Sequence, residues 1–339
     1  MKNIKWGILG CGGIAHKFAQ ALQHTEGAIL YAAAARDGER ASNFARQWGF
    51  EKPVEGYRAL VADPEVDIVY IATPHSYHYA HTRLCLEAGK HVLCEKPFTV
   101  NAGQLRKLIT LAQSKQLFMM EALWSKFLPG IIKTKELVDT GVIGKAVVMD
   151  VNFGIHFPYD VEHRIYNPLL AGGALLDLGI YPLFLSLYLF GKPSVMKAHA
   201  VLNENKIDLT TSIITQSESG TLCNLNTTTQ ANTPVTASIS GTNGSIELGA
   251  WWFTPVDIHL RVNGKADNIL PFPPIVNGYE YEAMEAIKCL NEGKTESDIM
   301  PYSFSIMLLE LMDEIRSVTG ITYPDLIESV DHPFGWNEL

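Results

Sequence analysis

The chain has 339 residues, enough for two domains, and 47% of them are hydrophobic, which is enough to build sizeable cores. The formal charge of −9 at pH 7 argues against nucleic acid as the main partner, because phosphate binding requires clustered lysine and arginine. The five cysteines are scattered without CxxC spacing, so we expect reduced thiols, a cytoplasmic protein and no bound metal. The most apolar run, residues 183–190, is too short to span a membrane.

The first third of the chain alternates apolar runs with helical segments. Runs that are apolar on both faces indicate parallel strands, and the segments between them indicate helices that cover the sheet. Strands are predicted at residues 4–9, 29–35, 67–72, 91–94 and 117–120. Helices are predicted at residues 15–23, 39–48, 77–88 and 102–114. We therefore expect an α/β Rossmann domain with a doubly wound parallel sheet over residues 1–121.

After residue 121 the strands become longer and their connections shorter. Strands are predicted at residues 146–155, 195–202, 209–216, 221–229 and 235–240, and Asn243-Gly244 and Asn263-Gly264 are hairpin signals. Helices are predicted at residues 124–141, 279–291 and 302–318. The pattern predicts an α+β domain with a large, mostly antiparallel sheet over residues 122–339, for substrate binding and oligomerisation. Its last helices are candidates to pack back on the first domain.

A glycine-rich turn follows the first predicted strand and opens the first predicted helix. Its residues are Gly10, Cys11, Gly12, Gly13, Ile14 and Ala15, which fit the pattern G-x-G-x-x-A. In that pattern the first glycine permits a tight turn, the second lets the backbone approach a pyrophosphate, and the small third residue keeps the helix close to the sheet. The helix N-terminus supplies N–H donors to the phosphates. In this context the motif predicts a dinucleotide site.

The end of the second predicted strand distinguishes the two nicotinamide cofactors. An NAD site usually places a carboxylate there to accept a hydrogen bond from the ribose 2′-hydroxyl. This chain places Arg36 at the strand end and Asp37 one residue later. A guanidinium there pairs well with a 2′-phosphate, and Arg40 is a candidate second cation. The sequence therefore favours NADP, and NAD with Asp37 as the ribose ligand stays open as the alternative.

Four segments together resemble one known family over nearly the whole chain. They are residues 10–15, Ala72-Thr73-Pro74-His75, Glu95-Lys96-Pro97 and the glycine-rich stretch at residues 172–182. The chain resembles the glucose-fructose oxidoreductase, inositol dehydrogenase and rhizopine-catabolism (Gfo/Idh/MocA) family. The stretch at residues 175–182 and Glu121-Ala122-Leu123-Trp124 point to its branch of dimeric dihydrodiol dehydrogenases and NADP-dependent D-xylose dehydrogenases.

The resemblance implies that Lys96 and Tyr181 act beside the nicotinamide, and Asp177 is a candidate to orient Lys96 or the substrate hydroxyl. Removing a hydride from a carbinol carbon also requires the hydroxyl proton to leave, so an acid–base group is needed. Free tyrosine titrates near pH 10, and a nearby ammonium favours the phenolate. Many relatives have histidine where Tyr181 stands, so we expect a Lys/Tyr pair here. Asp177 and Tyr181 have the i, i+4 spacing of one helix face, with a helix restart near Pro182.

The resemblance also implies further neighbours of the cofactor and the substrate. The additional cofactor neighbours are Thr73, Pro74, His75, His78, Glu95 and Trp124. The substrate neighbours are Trp124, Phe153, His156, Arg164, Asn167, Asp177 and Tyr181.

The predicted reaction is hydride transfer between NADP and a hydroxyl of a sugar, a polyol or a cyclic diol. One alternative is an NAD-dependent inositol-type or sugar dehydrogenase. The other is a non-catalytic regulatory protein that senses a dinucleotide, which needs the glycine turn but neither Lys96 nor Tyr181. Because an exposed antiparallel sheet invites pairing, we expect a homodimer or a dimer of dimers through the second domain. We expect neither a nucleic acid nor a membrane as partner.

Overall fold

The computed structural model describes residues 2–331 and divides into two compact units. Within the described residues, the first unit comprises 2–124, Ile275–Ile306 and 325–331. The second unit comprises Ser125–Pro274 and Met307–Pro324. The assignment of cofactor binding to residues 1–121, and of substrate binding and oligomerisation to residues 122–339, stays a prediction.

The first unit contains a six-stranded parallel sheet in the order β3-β2-β1-β4-β5-β6, the strand order of a Rossmann fold. Its strands are β1 (Ile4–Leu9), β2 (Ala28–Ala35), β3 (Lys52–Glu55), β4 (Ile68–Ile71), β5 (His91–Glu95) and β6 (Met119–Ala122). The predicted doubly wound parallel sheet is confirmed. The edge strand β3 was not predicted, because Val54 is its single buried residue and its apolar signal is weak.

Helices alternate with the strands of the first unit, and further helices lie in both units. They are α1 (Gly13–Leu22), α2 (Gly38–Trp48), α3 (Tyr57–Ala62), α4 (His78–Glu87), α5 (Ala102–Lys115), α6 (Pro129–Asp139), α7 (Ile180–Phe190), α8 (Glu280–Asn291), α9 (Tyr302–Thr319) and α10 (Asp325–Glu328). The predicted helix at residues 124–141 is wrong at its start. A 3-10 turn, Trp124–Phe127, comes first, and α6 begins at Pro129, where the fixed φ of proline suits a first helical residue.

The second unit contains an eight-stranded sheet in the order β14-β13-β12-β11-β7-β10-β9-β8. Its strands are β7 (Ala146–Gly154), β8 (Val195–Leu202), β9 (Asp208–Gln216), β10 (Leu222–Thr228), β11 (Ala237–Gly241), β12 (Gly244–Leu248), β13 (Ile258–Val262) and β14 (Asn268–Leu270). The pair β7–β10 is parallel and the other described pairs are antiparallel, which confirms the mostly antiparallel sheet. Strands β12 to β14 were not predicted themselves, but the hairpin signals beside them were, and Gly244 pairs with Gly241 across the first hairpin.

One helical stretch in the described residues, Pro168–Phe190, is long and apolar enough to cross a membrane by length and composition. Within its most apolar window, 89% of the residues are buried inside the protein. The helix α7 in this stretch lies against β7 and β10. Its apolar sequence is therefore explained by its position in the core of the second unit.

Candidate active site

The glycine turn after β1 leaves the start of α1 accessible. Gly10 has a φ of +100°, and a Cβ there would lie 3.1 Å from the carbonyl oxygen of Ala72, so this position requires glycine. Gly12 caps α1, and a Cβ on Gly13 would meet no atom of the described residues within 4 Å. The first N–H groups of α1 are therefore open to an anionic ligand, and the turn fits a pyrophosphate.

The side chains of the turn serve packing. Ala15 is fully buried and Ile14 is half-buried. The Sγ atom of Cys11 lies 3.5 Å from the carbonyl oxygen of Ala34, and burial raises the pKa of the Cys11 thiol to about 11. The thiol is therefore neutral at physiological pH, and the turn presents backbone N–H groups to a ligand.

The three charged residues after β2 have separate tasks. Asp37 caps α2: its Oδ1 atom accepts the N–H of Arg40 at 2.7 Å, a favourable place for a carboxylate. Arg40 donates from Nε and Nη2 to the carbonyl oxygen of Cys11 at 3.1 Å and 2.9 Å. It thereby ties the start of α2 to the glycine turn. Arg36 is exposed at the strand end, where its guanidinium is accessible to an anion.

A buried histidine bridges the loops after β4 and β5. His78 is 0% exposed; its Nδ1 atom is 2.7 Å from the carbonyl oxygen of Pro97, and its Nε2 atom is 2.8 Å from that of Thr73. Burial, and then the neighbouring His75, lower the pKa of His78 to about 3, and the two carbonyls oppose that shift. A neutral imidazole carries one N–H, so it donates to one of the two oxygens at a time. The ring joins the two loops from the interior.

The other residues predicted after β4 lie around this bridge. Pro74 precedes a 3-10 turn, His75–Tyr77, and the buried ring of His75 has its centroid 5.8 Å from that of His78. The hydroxyl of Thr73 is 2.9 Å from Nδ1 of His81. These contacts hold the end of β4 and the loop after it in place.

Lys96 follows β5 on a buried support. Its side chain is half-buried, and its N–H donates to Oε2 of Glu95 at 3.2 Å. Glu95 is buried and its Oε1 atom accepts the hydroxyl of Tyr70. The glutamate of the Glu-Lys-Pro turn is thus held by β4, which fixes the backbone from which Lys96 extends.

In the second unit, Asp177 and Tyr181 occupy two helical turns of different width. Asp177 lies in a π-helical turn, Leu175–Gly179, and Tyr181 lies in the first turn of α7, followed by Pro182. Turns of the π type are rare in proteins, and those that occur are often found at functional sites. Asp177 is 5% exposed, and its Oδ2 atom accepts Nη2 of Arg164 at 3.0 Å. The guanidinium holds the carboxyl of Asp177 in one orientation.

Aromatic side chains surround the ring of Tyr181. The ring centroid of Phe253 is 4.8 Å from that of Tyr181, and the centroid of Phe153 is 5.5 Å away. Phe153 and Phe253 stack with centroids 4.4 Å apart, and Trp251, which is 48% exposed, packs edge-on against Phe253. Phe153 was predicted, whereas Trp251 and Phe253 were not, although a Trp-Trp-Phe run at residues 251–253 is an aromatic signal outside any strand.

Two predicted substrate neighbours make local contacts. His156 is exposed, with its Nδ1 atom 2.9 Å from the carbonyl oxygen of Gln230. Asn167 caps the short turn that follows it, where its Oδ1 atom accepts the N–H of Leu169 at 2.9 Å. Across residues 2–331, no group of three or more His, Cys, Asp or Glu side chains is arranged to hold a metal ion.

Two family models match this chain. Residues 4–123 match the model of the oxidoreductase family with an NAD-binding Rossmann fold, and residues 131–247 match the Gfo/Idh/MocA C-terminal domain. The D-xylose 1-dehydrogenase (NADP(+)) of Hypocrea jecorina is 36% identical over 96% of this chain and 94% of that protein. This chain belongs to the Gfo/Idh/MocA family of oxidoreductases. The family and the branch predicted from the sequence are confirmed.

Other relatives of this Gfo/Idh/MocA oxidoreductase extend the comparison. The trans-1,2-dihydrobenzene-1,2-diol dehydrogenase of Mus musculus is 37% identical over 95% of this chain and 98% of that protein. Among solved structures, the 3-ketoreductase from Actinomadura kijaniata in complex with NADP and TDP-benzene has a TM-score of 0.83. It is 25% identical and covers 93% of this chain and 98% of that one. The predicted class of protein, an NAD(P)-dependent oxidoreductase, is confirmed.

Two buried carboxyls of this oxidoreductase were missed at the sequence level. Glu121 accepts the N–H of Phe98 at 3.0 Å and the hydroxyl of Ser305 at 2.6 Å. Burial raises its pKa to about 7, against the opposing charge of Lys96. Glu282 is 0% exposed, and burial, with the charge of Glu95, raises its pKa well above its ordinary value. Glu121 was named only as part of the Glu121-Ala122-Leu123-Trp124 motif, and the available signal for Glu282 was a glutamate within a predicted helix.

Trp124, predicted to contact both cofactor and substrate, is held by stacking. It is 4% exposed, and its ring lies 4.2 Å from that of Tyr279 with an interplanar angle of 11°. A stacked indole keeps one orientation, as a pocket wall requires.

Proposed function

We propose that this protein is an NADP-dependent dehydrogenase acting on a secondary hydroxyl of a sugar, a polyol or a cyclic diol. The observation that supports this choice of cofactor is the different roles of Arg36 and Asp37, the two residues that follow β2. Asp37 uses its carboxylate as a helix cap, whereas Arg36 is exposed at the strand end. A 2′-phosphate is recognised by a guanidinium at this position, and a bare ribose is recognised by a carboxylate. The NADP-dependent xylose dehydrogenase at 36% identity supports the same choice.

The cofactor is held by residues of the first unit in this proposal. The N–H groups of the glycine turn, Gly10 to Ala15, bind the pyrophosphate, and Arg36 binds the 2′-phosphate. Arg40 contributes charge while it keeps the turn in place through Cys11. The strand-end residues that complete the proposed cofactor site are Asp37, Thr73, Pro74, His75, His78, Glu95, Lys96 and Trp124.

When bound, NADP supplies the hydride exchange at the nicotinamide C4. The residues of this chain supply the matching proton transfer, for which we propose Lys96 and Tyr181. A tyrosine that acts as a base near pH 7 needs its pKa lowered by about three units, or about 4 kcal/mol. The ammonium of Lys96 stabilises the phenolate and supplies part of that energy. Asp177, oriented by Arg164, positions the substrate hydroxyl.

The aromatic side chains around Tyr181 favour a ring-shaped substrate. Phe153 and Phe253 offer apolar faces, and the carbon faces of sugars and cyclic diols stack on such rings. Arg164 and Asp177 supply polar groups in the same unit. His156, Asn167 and Trp124 are the remaining proposed substrate neighbours. A dihydrodiol dehydrogenase and a xylose dehydrogenase among the relatives support both substrate classes.

A paired screen tests this function. Purified protein is assayed against aldoses, polyols and trans-diols with NADP and, separately, with NAD. We expect turnover of at least one of these classes, with tighter binding of NADP than of NAD. Tighter NAD binding together with a harmless Arg36→Ala substitution contradicts the cofactor proposal. Tight cofactor binding without any turnover favours the dinucleotide-sensing alternative.

We further propose a cytoplasmic homodimer, or a dimer of dimers, that associates through the sheet of the second unit. Exposed apolar residues on that sheet support this proposal: Ile214 is 51% exposed and Leu222 is 44% exposed. Sedimentation at micromolar concentration tests it, and a monomer there contradicts it.

A further inference from the structure

A buried aspartate caps the turn that carries Asp177. Asp208 is the first residue of β9 and is 0% exposed. Its Oδ2 atom accepts the N–H of Leu175 at 2.8 Å and the hydroxyl of Thr211 at 2.7 Å. Leu175 is the first residue of the π-helical turn, so Asp208 satisfies a donor that the turn itself leaves open. A strand 33 residues away in the chain thereby fixes where this turn begins.

The two glycines before the turn are immobilised by the same group of residues. Gly173 has a φ of +116°, and a Cβ there would lie 2.3 Å from Oδ1 of Asp208. The carbonyl oxygen of Gly172 accepts the hydroxyl of Tyr323 at 2.5 Å, and the N–H of Gly173 donates to the carbonyl oxygen of Ile165 at 2.8 Å. Asp208 and Tyr323 therefore hold the backbone that leads into the turn from two sides.

This held backbone also places Arg164. A Cβ on Gly172 would lie 2.6 Å from the carbonyl oxygen of Arg164, so the two segments are in close backbone contact. The guanidinium of Arg164 then binds Asp177 at 3.0 Å. Both partners of that ion pair are thus fixed against residues 172–175, the first through backbone packing and the second through the helical turn.

We propose that Asp208 is a positioning residue for the reaction, which sets the orientation of Asp177 and Tyr181 by binding the N–H of Leu175. This inference rests on the proposed roles of Asp177 and Tyr181. The side-chain hydrogen bonds of Asp208 go to Leu175 and Thr211, so it acts on both residues through the turn. A small displacement of an acid–base group lowers the rate strongly, because proton transfer requires hydrogen-bond distance to the reacting hydroxyl.

The role requires an oxygen acceptor and does not require a negative charge. Burial raises the pKa of Asp208 to about 6, against the hydrogen bonds from Thr211 and Leu175 and the charge of Arg316. Asparagine places an amide oxygen where Oδ2 stands and keeps both hydrogen bonds. Asp208→Asn is therefore the matched control for Asp208→Ala, which removes the acceptor.

The experiment combines hydrogen–deuterium exchange of residues 172–181 with steady-state kinetics and NADP binding. In Asp208→Ala we expect about tenfold faster exchange in this segment, a kcat lowered about tenfold or more, and an NADP Kd within about twofold of the wild type. Asp208→Asn recovers most of the protection and of kcat. Tyr323→Phe, which removes one hydroxyl, shows the same changes to a smaller degree and carries the test if the alanine variant does not fold.

Unchanged exchange and kcat in Asp208→Ala overturn the proposal, or in Tyr323→Phe if that variant carries the test. Equal losses in the asparagine and alanine variants overturn it as well. Tyr181→Phe separates this proposal from the function on which it rests. If Tyr181→Phe keeps full turnover, the proposed function is wrong, whatever the exchange data show. If Tyr181→Phe loses turnover and Asp208→Ala does not, the inference alone is wrong.

Discussion

The two units support their candidate catalytic residues in different ways. In the first unit, Lys96 follows the end of a parallel strand, at the edge where Gly10, Arg36 and Thr73 also come after their strands. In the second unit, Asp177 stands on a π-helical turn whose first N–H is bound by a distant strand residue, Asp208, and Tyr181 stands on the helical turn that follows it. A strand end is fixed by sheet hydrogen bonds on both sides, whereas a wide helical turn needs side chains from elsewhere to hold it.

The same difference between the two units decides which residues can be predicted from the sequence. The residues at strand ends lie in short motifs, because each follows its strand directly. The support of the helical turn comes from Asp208 and Tyr323, which lie about 30 and 150 residues away along the chain.

The largest expected effect concerns Lys96 in the first unit. Lys96→Met removes the ammonium and keeps an apolar chain of comparable length, so we expect kcat to fall about 10³-fold because the acid–base pair is lost. The NADP Kd should stay within a few-fold of the wild type, since the glycine turn and Arg36 supply the proposed contacts to the phosphates. Fluorescence titration and steady-state assays measure both values. Retained turnover removes Lys96 from the proton transfer and leaves the Rossmann fold untouched.

The second effect tests whether cofactor choice is confined to the first unit. Arg36→Ala removes the guanidinium proposed for the 2′-phosphate, so the NADP Kd should rise about 30-fold, the loss typical of a charge-assisted hydrogen bond. The NAD Kd should change less than threefold. Arg46→Ala, an exposed arginine later on α2, is the control for general charge. Equal weakening of both cofactors contradicts the proposed contact.

The third effect concerns Glu121, a buried carboxyl of the first unit. The pKa of Glu121 is about 7 in the folded protein, above its ordinary 4.5. The folded state binds the proton of Glu121 more tightly than the unfolded state does. The contribution of this proton to the free energy of unfolding is therefore complete below about pH 4.5 and is lost as the pH rises through about 7. Glutamine at position 121 does not titrate. The free energy of unfolding of Glu121→Gln, relative to that of the wild type, should therefore grow by as much as about 3 kcal/mol between pH 4.5 and 8. Urea unfolding at several pH values measures this difference, and a constant difference refutes it.

Much of the fold was predictable because the buried strands of the first unit are short apolar runs between helices. Strand β3 was not, since an edge strand with the single buried residue Val54 resembles a loop. Strands β12 to β14 were noticed only through the turns Asn243-Gly244 and Asn263-Gly264, although Ile258-His259-Leu260-Arg261-Val262 alternates apolar and polar residues as a half-buried strand does.

For the site, motifs identified the residues at the strand ends and the stretch at residues 172–182. They did not predict that Asp37 caps a helix or that Arg40 binds the carbonyl of Cys11. They also did not predict that Arg164 pairs with Asp177. These contacts depend on backbone positions that only the folded chain defines.

The central claim is that Lys96 and Tyr181 act together in one proton transfer. A double-mutant cycle with Lys96→Met, Tyr181→Phe and the double variant tests it most directly, with kcat/KM measured for one substrate and NADP. Residues that act as a unit are strongly non-additive, so we predict that the double variant loses about as much as the more damaged single variant. Losses that multiply in the double variant show that the two residues act independently and contradict the claim.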